Sequence, residues 1–482
     1  MVAKVKPGTV ACGVTYREFL VQLAVLGFNP AKMFSGDGLM ARVLRGSAFV
    51  LFGYGASQVL RLASNLILTR LLFPEAFGLM ALVAMVEVGL TLFTDMGIAP
   101  SIAQSKRGDD PDFLDTAYTL KVIRGFVLWL TACILAYPAA LFFEAPELAL
   151  FLPISTFSMV ISGFTTVRIE TAFRHLQLGR VTAIDLASQV VALVFMILLA
   201  WYTRSVVALV AGGIVTAAVQ NFLAGRYLDG HRNRLRWDPS AARELIHFGK
   251  WIFVSTLFSF FSSQGDKLVF GKFLTLHVLG IYNIGYYLGS FPLMLGTELV
   301  GRVMIPIYRE VREKGTASGA RKLRTMRFLM TGGLIALMGV LAIFGPMLVN
   351  FLYDDRYVNA GAMLVLISLA MMPAAVGVSY DRAALAAGDS RHFFIVSAAR
   401  GITGVAFLLI GVHFWGIVGA IGGLALSGMA VHPFLVWLSI KHKVWDGEHD
   451  AIFAVVAVAL AVGAIWLHLG EIQAMAIAAA EG

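Results

Sequence analysis

Apolar stretches near 20 residues recur along almost the whole of this chain. Each is long enough, at about 1.5 Å per residue, to cross a hydrocarbon core of roughly 30 Å as a helix. The pattern predicts spans near 47–69, 78–100, 118–143, 147–169, 182–202, 205–227, 247–270, 279–300, 327–351, 360–385, 391–412, 416–440 and 451–469. With 59% hydrophobic and 14% charged residues and a mean hydropathy of +0.80, the composition lies outside that of soluble domains. The 48 glycines and 19 methionines suit close helix packing and adaptable apolar walls.

The formal charge of +9 does not point to nucleic acid, because the basic residues sit in short loops between apolar spans. They report orientation and contact with anionic membrane lipids. With the amino terminus inside, every lysine and arginine falls on the cytoplasmic side except seven: Arg70, Arg204, Lys272 and Arg356 outside, and Arg61, Lys267 and Arg400 within spans. Residues 1–46 carry six basic residues around a short apolar run, and they read as an uncleaved cytoplasmic or interfacial arm. Cys12 and Cys133 follow no metal-ligand spacing and read as small apolar fillers, with no disulfide framework and no zinc.

An internal repeat organises the spans. Gly46 answers to Gly249, Phe77-Gly78 to Leu279-Gly280 and Arg124 to Arg327, at offsets of 203, 202 and 203; Leu176-Gln-Leu-Gly179 answers to Leu385-Ala-Ala-Gly388 at 209. Each unit holds six helices, an even number, so both enter the membrane in the same sense. The expected architecture is an all-α polytopic membrane protein, with two parallel six-helix lobes around a central cavity and about one extra C-terminal helix. The implied units are the arm at 1–46, a first lobe at 47–227, a basic cytoplasmic linker at 228–246, a second lobe at 247–440, and an extra segment with tail at 441–482.

No motif for an enzyme is present: there is no Walker-type phosphate loop, no nucleophile elbow, no His-Glu-x-x-His and no large extramembrane domain. No cofactor or metal is expected, and any transport must run on an ion gradient, on a cargo gradient or through a partner. What remains is a set of ionisable groups in apolar spans, which are costly there and usually face a cavity or one another. Arg61 and Glu87 sit at comparable depth, as an ion pair or as a cargo-binding arginine beside a separate carboxylate. Lys267 and Asp266 end helix 7, about 100° apart around it. Arg400 lies in Ala398-Ala399-Arg400-Gly401, where small neighbours permit a cavity wall or close packing. Asp95 and Glu298 occupy repeat-related late positions of helices 2 and 8. With Glu87 and Asp266 they are the ion-coupling candidates, since a buried carboxylate is pushed toward its neutral form. His413 and His432 read as interfacial or hydrogen-bonded.

Arg70-Leu-Leu-Phe-Pro-Glu-Ala-Phe-Gly78, Gln264-Gly-Asp-Lys-Leu-Val-Phe-Gly-Lys-Phe273 with Leu279-Gly-Ile-Tyr282, and Arg302-Val-Met-Ile-Pro-Ile-Tyr308 resemble signatures of the polysaccharide-transporter family within the multidrug and oligosaccharidyl-lipid exporter superfamily. The resemblance covers roughly residues 42–440. It implies a flippase working by alternating access in the bacterial inner membrane, carrying a polyprenyl-diphosphate-linked oligosaccharide toward a polysaccharide polymerase and its chain-length machinery. Such a cavity needs cations for the diphosphate, and Arg61, Lys267 and Arg400 are the candidates for substrate binding. A cation-coupled drug exporter shares the fold but would favour an acidic, aromatic cavity. An integral-membrane polymerase would be expected to present a substantial outer loop, and every outer loop here is short.

Overall fold

The computed structural model describes residues 39–94, 97–314 and 317–481 of the chain. Most of the arm at 1–46 and the candidate Asp95 lie outside the described residues. The elements run α1 (Leu39–Leu71), α2 (Pro74–Phe93), α3 (Ile98–Gln104), α4 (Pro111–Phe142), α5 (Leu148–Gly163), α6 (Arg168–Arg174), α7 (Leu178–Thr203) and α8 (Val207–Tyr227). There follow α9 (Pro239–Phe273), α10 (Leu276–Lys314), α11 (Ala317–Leu352), α12 (Asn359–Ala370), α13 (Met372–Gly377), α14 (Asp381–Ala387), α15 (Ser390–Lys441), α16 (Gly447–Leu467) and α17 (Leu469–Glu481).

Among the described residues, nine helices are long and apolar enough to cross a membrane, or ten if the bent pair α5 and α6 counts as one span. The protein is therefore an all-α, multi-pass membrane protein. α15 is one of the nine but crosses twice: its path reverses at Trp415 and Gly416, and Gly416 takes a φ of +56° that other residues adopt only under strain. The two arms, 390–414 and 417–441, then run antiparallel, with the Thr403 and Ser427 hydroxyls 3.1 Å apart. α1 and α9 match the others in length but fall outside the apolar set, because each carries polar residues along its membrane portion. Counting both, the bent pair α5 and α6 as one span and both arms of α15, the described helices number thirteen candidate crossings.

Several expected spans are broken. The stretch 78–100 is divided, since α2 stops at Phe93 and α3 is a separate short helix. The stretch 147–169 bends by 62° between α5 and α6. The stretch 360–385 becomes α12, α13 and α14, and Pro373 at the start of α13 has no N–H with which to continue the helix. Beyond α16 the expected tail forms a further helix, α17, whose Ile472 and Met475 are buried in the main core.

α1, α2, α4, α5, α7 and α8 pack as one group and α9 to α17 as another, with α2 lying between them against α9 and α10. Over half of the most apolar window of α2 is buried, against 17% for α16, which fits a central and a peripheral helix respectively. The core they share runs through Leu82, Phe270 and Tyr282, all without exposed surface.

The linker between the groups is strapped to the first. Asp110 and Asp238 cap α4 and α9, each followed by proline at the first helical position, which suits the fixed φ and missing N–H of proline. The Arg107 guanidinium pairs with both caps, at 2.9 Å and 3.0 Å. Hydrogen bonds from Ser240, reinforced by Arg107, hold the Asp238 carboxyl well below the usual carboxylate range. Ahead of this joint, buried Asp115 accepts from Arg234 N at 2.9 Å and lies 2.8 Å from His231 Nε2. Asp115→Ala should destabilise the protein by about 1.5–3 kcal/mol, the scale of hydrogen bonds to a charged group. Thermal unfolding of the purified protein in detergent measures this, and an unchanged midpoint would mean that the strap is held elsewhere.

Candidate functional site

Besides the packing of α2 against α9 and α10, hydrogen bonds join the second group to one polar face of α1. Tyr54, Gln58, Arg61 and Asn65 are spaced four, three and four residues apart, which places them on a single stripe of the helix. Gln58 Nε2 donates to the Tyr54 hydroxyl at 3.0 Å. Across the cleft, the Tyr287 hydroxyl of α10 reaches the Gln58 carbonyl at 3.5 Å, and the Tyr353 hydroxyl of α11 donates to Asn65 Oδ1 at 3.4 Å. Exposed Arg61 lies within electrostatic reach of Tyr287.

Arg61 and Glu87 do not form the ion pair weighed from the sequence. Glu87 instead accepts from Ser155 Oγ at 2.7 Å, inside the first group. Depth alone suggested the pair, and helix rotation separates them: the Glu87 carboxylate is turned toward α5.

Three of the four tyrosines of α10, Tyr282, Tyr286 and Tyr287, lie close together in sequence and face different ways. Tyr282 is wholly buried and donates to buried Asp266 at 2.9 Å. Lys267, next to Asp266, points elsewhere: its Nζ donates to Gln264 Oε1 at 3.2 Å and lies 5.3 Å from the Tyr286 ring centroid, a cation–π contact. Arg400 lines a cavity of about 350 Å³ inside the second group, together with Asp266, Tyr286, Arg382 and Ser427. Lys267, Asp266 and Arg400 therefore gather around Tyr286, while Arg61 stands on the other side of α10, beside Tyr287. Glu298 lies half-buried further along α10, apart from Glu87, so the carboxylates named from the sequence do not form one cluster.

The end of the cleft nearest Pro74 and Leu276 is closed, and the closure follows the sequence repeat. A Cβ on Gly78 would lie 2.0 Å from the Leu276 carbonyl oxygen, and one on Gly280 would lie 1.9 Å from the Pro74 carbonyl oxygen. Residues 74 and 276, like 78 and 280, are 202 apart, so the contact is reciprocal about a pseudo-twofold axis. Glu75 and His277, again 202 apart, meet at 2.8 Å on the same axis. Lys272 reaches across to Glu144 at 2.7 Å. The Arg356 guanidinium donates to the carbonyls of Thr69 at 2.9 Å and Leu72 at 3.2 Å, satisfying the free C-terminal carbonyls of α1 from the opposite group.

The sequence reading missed the polar stripe of α1, the α10 tyrosines and Arg356. The stripe has a signal in the sequence, polar residues at helical spacing within one otherwise apolar span. Arg356 had none beyond its charge, because its partners are backbone atoms 284 to 287 residues away.

A family described as "polysaccharide biosynthesis protein" matches residues 67–362. The chain is similar to the lipopolysaccharide biosynthesis protein WzxC of Escherichia coli (strain K12), 21% identical over 292 residues, covering 60% of this chain and 58% of the relative. It is also similar to the amylovoran biosynthesis protein AmsL of Erwinia amylovora, 21% identical over 328 residues, covering 67% and 84%. The chain thus spans little more than half the length of the first of these relatives. Among solved structures, the lipid II flippase MurJ in an inward closed conformation superposes with a TM-score of 0.67 at 11% identity, over 90% of this chain and 97% of that one. At that identity the likeness establishes the fold.

Proposed function

Because this chain belongs to the polysaccharide biosynthesis protein family, we infer that it is a flippase that carries a polyprenyl-diphosphate-linked oligosaccharide across the bacterial inner membrane by alternating access. The observation that carries this reading is the polar stripe of α1, where Arg61 lies within electrostatic reach of Tyr287 and where Tyr287 and Tyr353 of the second group bond to Gln58 and Asn65. A diphosphate needs cations in a low-dielectric setting, and a sugar needs hydroxyl and amide partners. The stripe of α1 offers both, with Arg61 for the phosphates and Tyr54, Gln58 and Asn65 for the sugars. Arg400, inside the second group, is a further candidate cation, and Glu87, Asp266, Glu298 and Asp95 remain the candidates for ion coupling. The chain breaks no covalent bond in this scheme. It delivers its cargo to a polysaccharide polymerase and chain-length machinery on the outer face.

Deleting the protein should leave the lipid-linked unit trapped on the cytoplasmic face and the surface polymer absent. Sidedness is read with an impermeant sugar-modifying enzyme. A unit that remains accessible from outside and merely fails to elongate would favour a polymerase; unchanged lipid-linked units with raised drug sensitivity would favour an exporter.

The charge bias of the loops assigns the end closed by Gly78 and Gly280 to the outside. Cysteines replacing exposed Pro146 and Asp355 should then react with an impermeant thiol reagent added to intact cells, and those replacing exposed Asp229 and Lys443 should not. Labelling at 229 and 443 would reverse the orientation.

A further inference from the structure

On the flank of the second group, the second arm of α15 and α16 diverge over a floor made by α12 and α13, leaving an apolar slot of about 450 Å³. Its wall on α16 is built from Ala454, Ala457, Val458, Ala461 and Ile465, one helical face whose alanines keep the slot open. From Asp450 to Ile465 the slot runs about 22 Å along α16. Gly422, Met429, Ala454 and Val458 on its rim are exposed, and on a membrane-spanning face exposure means contact with the bilayer.

The two ends of the slot differ. The far end is apolar. The near end holds His432 and Asp450, and Asp450 is saturated: Oδ1 accepts from the Tyr380 hydroxyl at 2.7 Å and lies 2.9 Å from His449 Nδ1, while Oδ2 accepts from Trp445 Nε1 at 3.1 Å and lies 3.2 Å from His432 Nε2. Asp450 therefore has no lone pair left for a ligand's ammonium or hydroxyl. His432 lines the slot, and its Nδ1 has no partner among the described residues. Nε2 is taken up by the carboxylate, which leaves Nδ1 as the ring nitrogen open to a ligand. Half-exposed Trp445 beside it marks the depth of the lipid head groups, where indole rings concentrate.

A slot this long, lined with small apolar side chains, open to the bilayer and ending at a lone ring nitrogen, has the shape and chemistry of a seat for a hydrocarbon chain with a polar head. We propose that it binds one acyl chain of a membrane phospholipid, with the polar head of that lipid at His432. A phospholipid acyl chain matches that length, whereas a long polyprenyl tail exceeds it. Arg61, Tyr287 and Lys267 are not among its lining residues, although it backs onto the Arg400 cavity through Ala370 and Pro373. It is a separate site from the cleft, and the proposal does not depend on what the cleft carries.

The test uses the full-length protein in nanodiscs of phosphatidylethanolamine and phosphatidylglycerol containing a trace of phosphatidylglycerol with a diazirine at the chain end. Irradiation should label peptides within 417–432 and 450–465. Ala457→Phe combined with Ala461→Phe, which fills the slot, should cut that labelling at least about fivefold, and His432→Gln should weaken it. Val455→Phe, on the exposed outer face of α16, should leave it unchanged. Should the double variant fail to fold, Ala461→Leu alone narrows the same section, and phospholipid extracted from purified wild-type protein after a delipidating wash should remain near one molecule per chain. Equal labelling of wild-type and slot-filled protein, or retained lipid well below one per chain, would overturn the proposal. Displacement of the probe by undecaprenyl diphosphate would overturn it as well, by assigning the slot to an isoprenoid.

Discussion

Leucine in place of Gly78 or Gly280 should hold the outer end of the cleft open and abolish transport. At both positions an added Cβ would sit about 2 Å from a carbonyl oxygen of the other helix group, and backbone cannot swing aside as a flexible side chain can. Overpacking of this kind costs about 1–3 kcal/mol, and here the strain exists only while the gate is shut. A penalty of that size on one state shifts its population by about 5–150-fold. The measurement is the rate at which an impermeant thiol reagent reaches a cysteine replacing Asn65, which lies on the α1 stripe below the gate, with Cys12 and Cys133 replaced by serine. Labelling should be slow with both glycines intact and many times faster with leucine at either one. A folded leucine variant that labels no faster would show that the glycine contact does not gate the cleft.

Removing Arg61 should lower the transport rate by about one to two orders of magnitude, the equivalent of losing one charge-assisted contact of about 1.5–3 kcal/mol. Protein abundance should stay near normal, because among the described residues Arg61 makes no ion pair whose loss would strand a buried carboxylate. Arg61→Lys should not restore transport, since an ammonium lacks the planar fork that meets two phosphate oxygens at once. Lys267→Ala should act in the same direction, and the lost stacking on Tyr286 predicts a smaller deficit than at Arg61. The assay follows the sidedness of the lipid-linked unit against protein level in the membrane. A fall in transport matched by an equal fall in abundance would make both residues supports of the fold and not contacts of the cargo.

The location of the gate was partly legible beforehand. Gly78 and Gly280 stood out as repeat partners, and a residue conserved between two halves of one chain often lies near the axis that relates them. The sequence could not say that the two would touch, because a repeat defines equivalence and leaves distance open. The sites fared less evenly. Arg61, Lys267 and Arg400 were found because a charge in an apolar span is costly and therefore conspicuous. Tyr54, Gln58 and Asn65 were passed over because neutral polar residues carry little cost, although their spacing on one helical face was already present. The pairing of Glu87 with Arg61 failed for a related reason: depth along a helix follows from counting residues, whereas the direction a side chain faces depends on how its helix is rotated against its neighbours.

What the sequence determined by itself is the solvent, the helical class and the succession of membrane-spanning helices. All three follow from a local quantity, the length of each apolar stretch set against the thickness of the hydrocarbon. Tertiary structure alone decided the rest. Arg356 caps α1 through backbone carbonyls nearly 290 residues away. α15 folds back on itself at a single left-handed glycine, and α16 stands off from its neighbour far enough to leave a slot. These features arise where two distant surfaces meet or fail to meet. Their energies belong to pairs of surfaces, and no window along one strand of sequence contains both members of the pair.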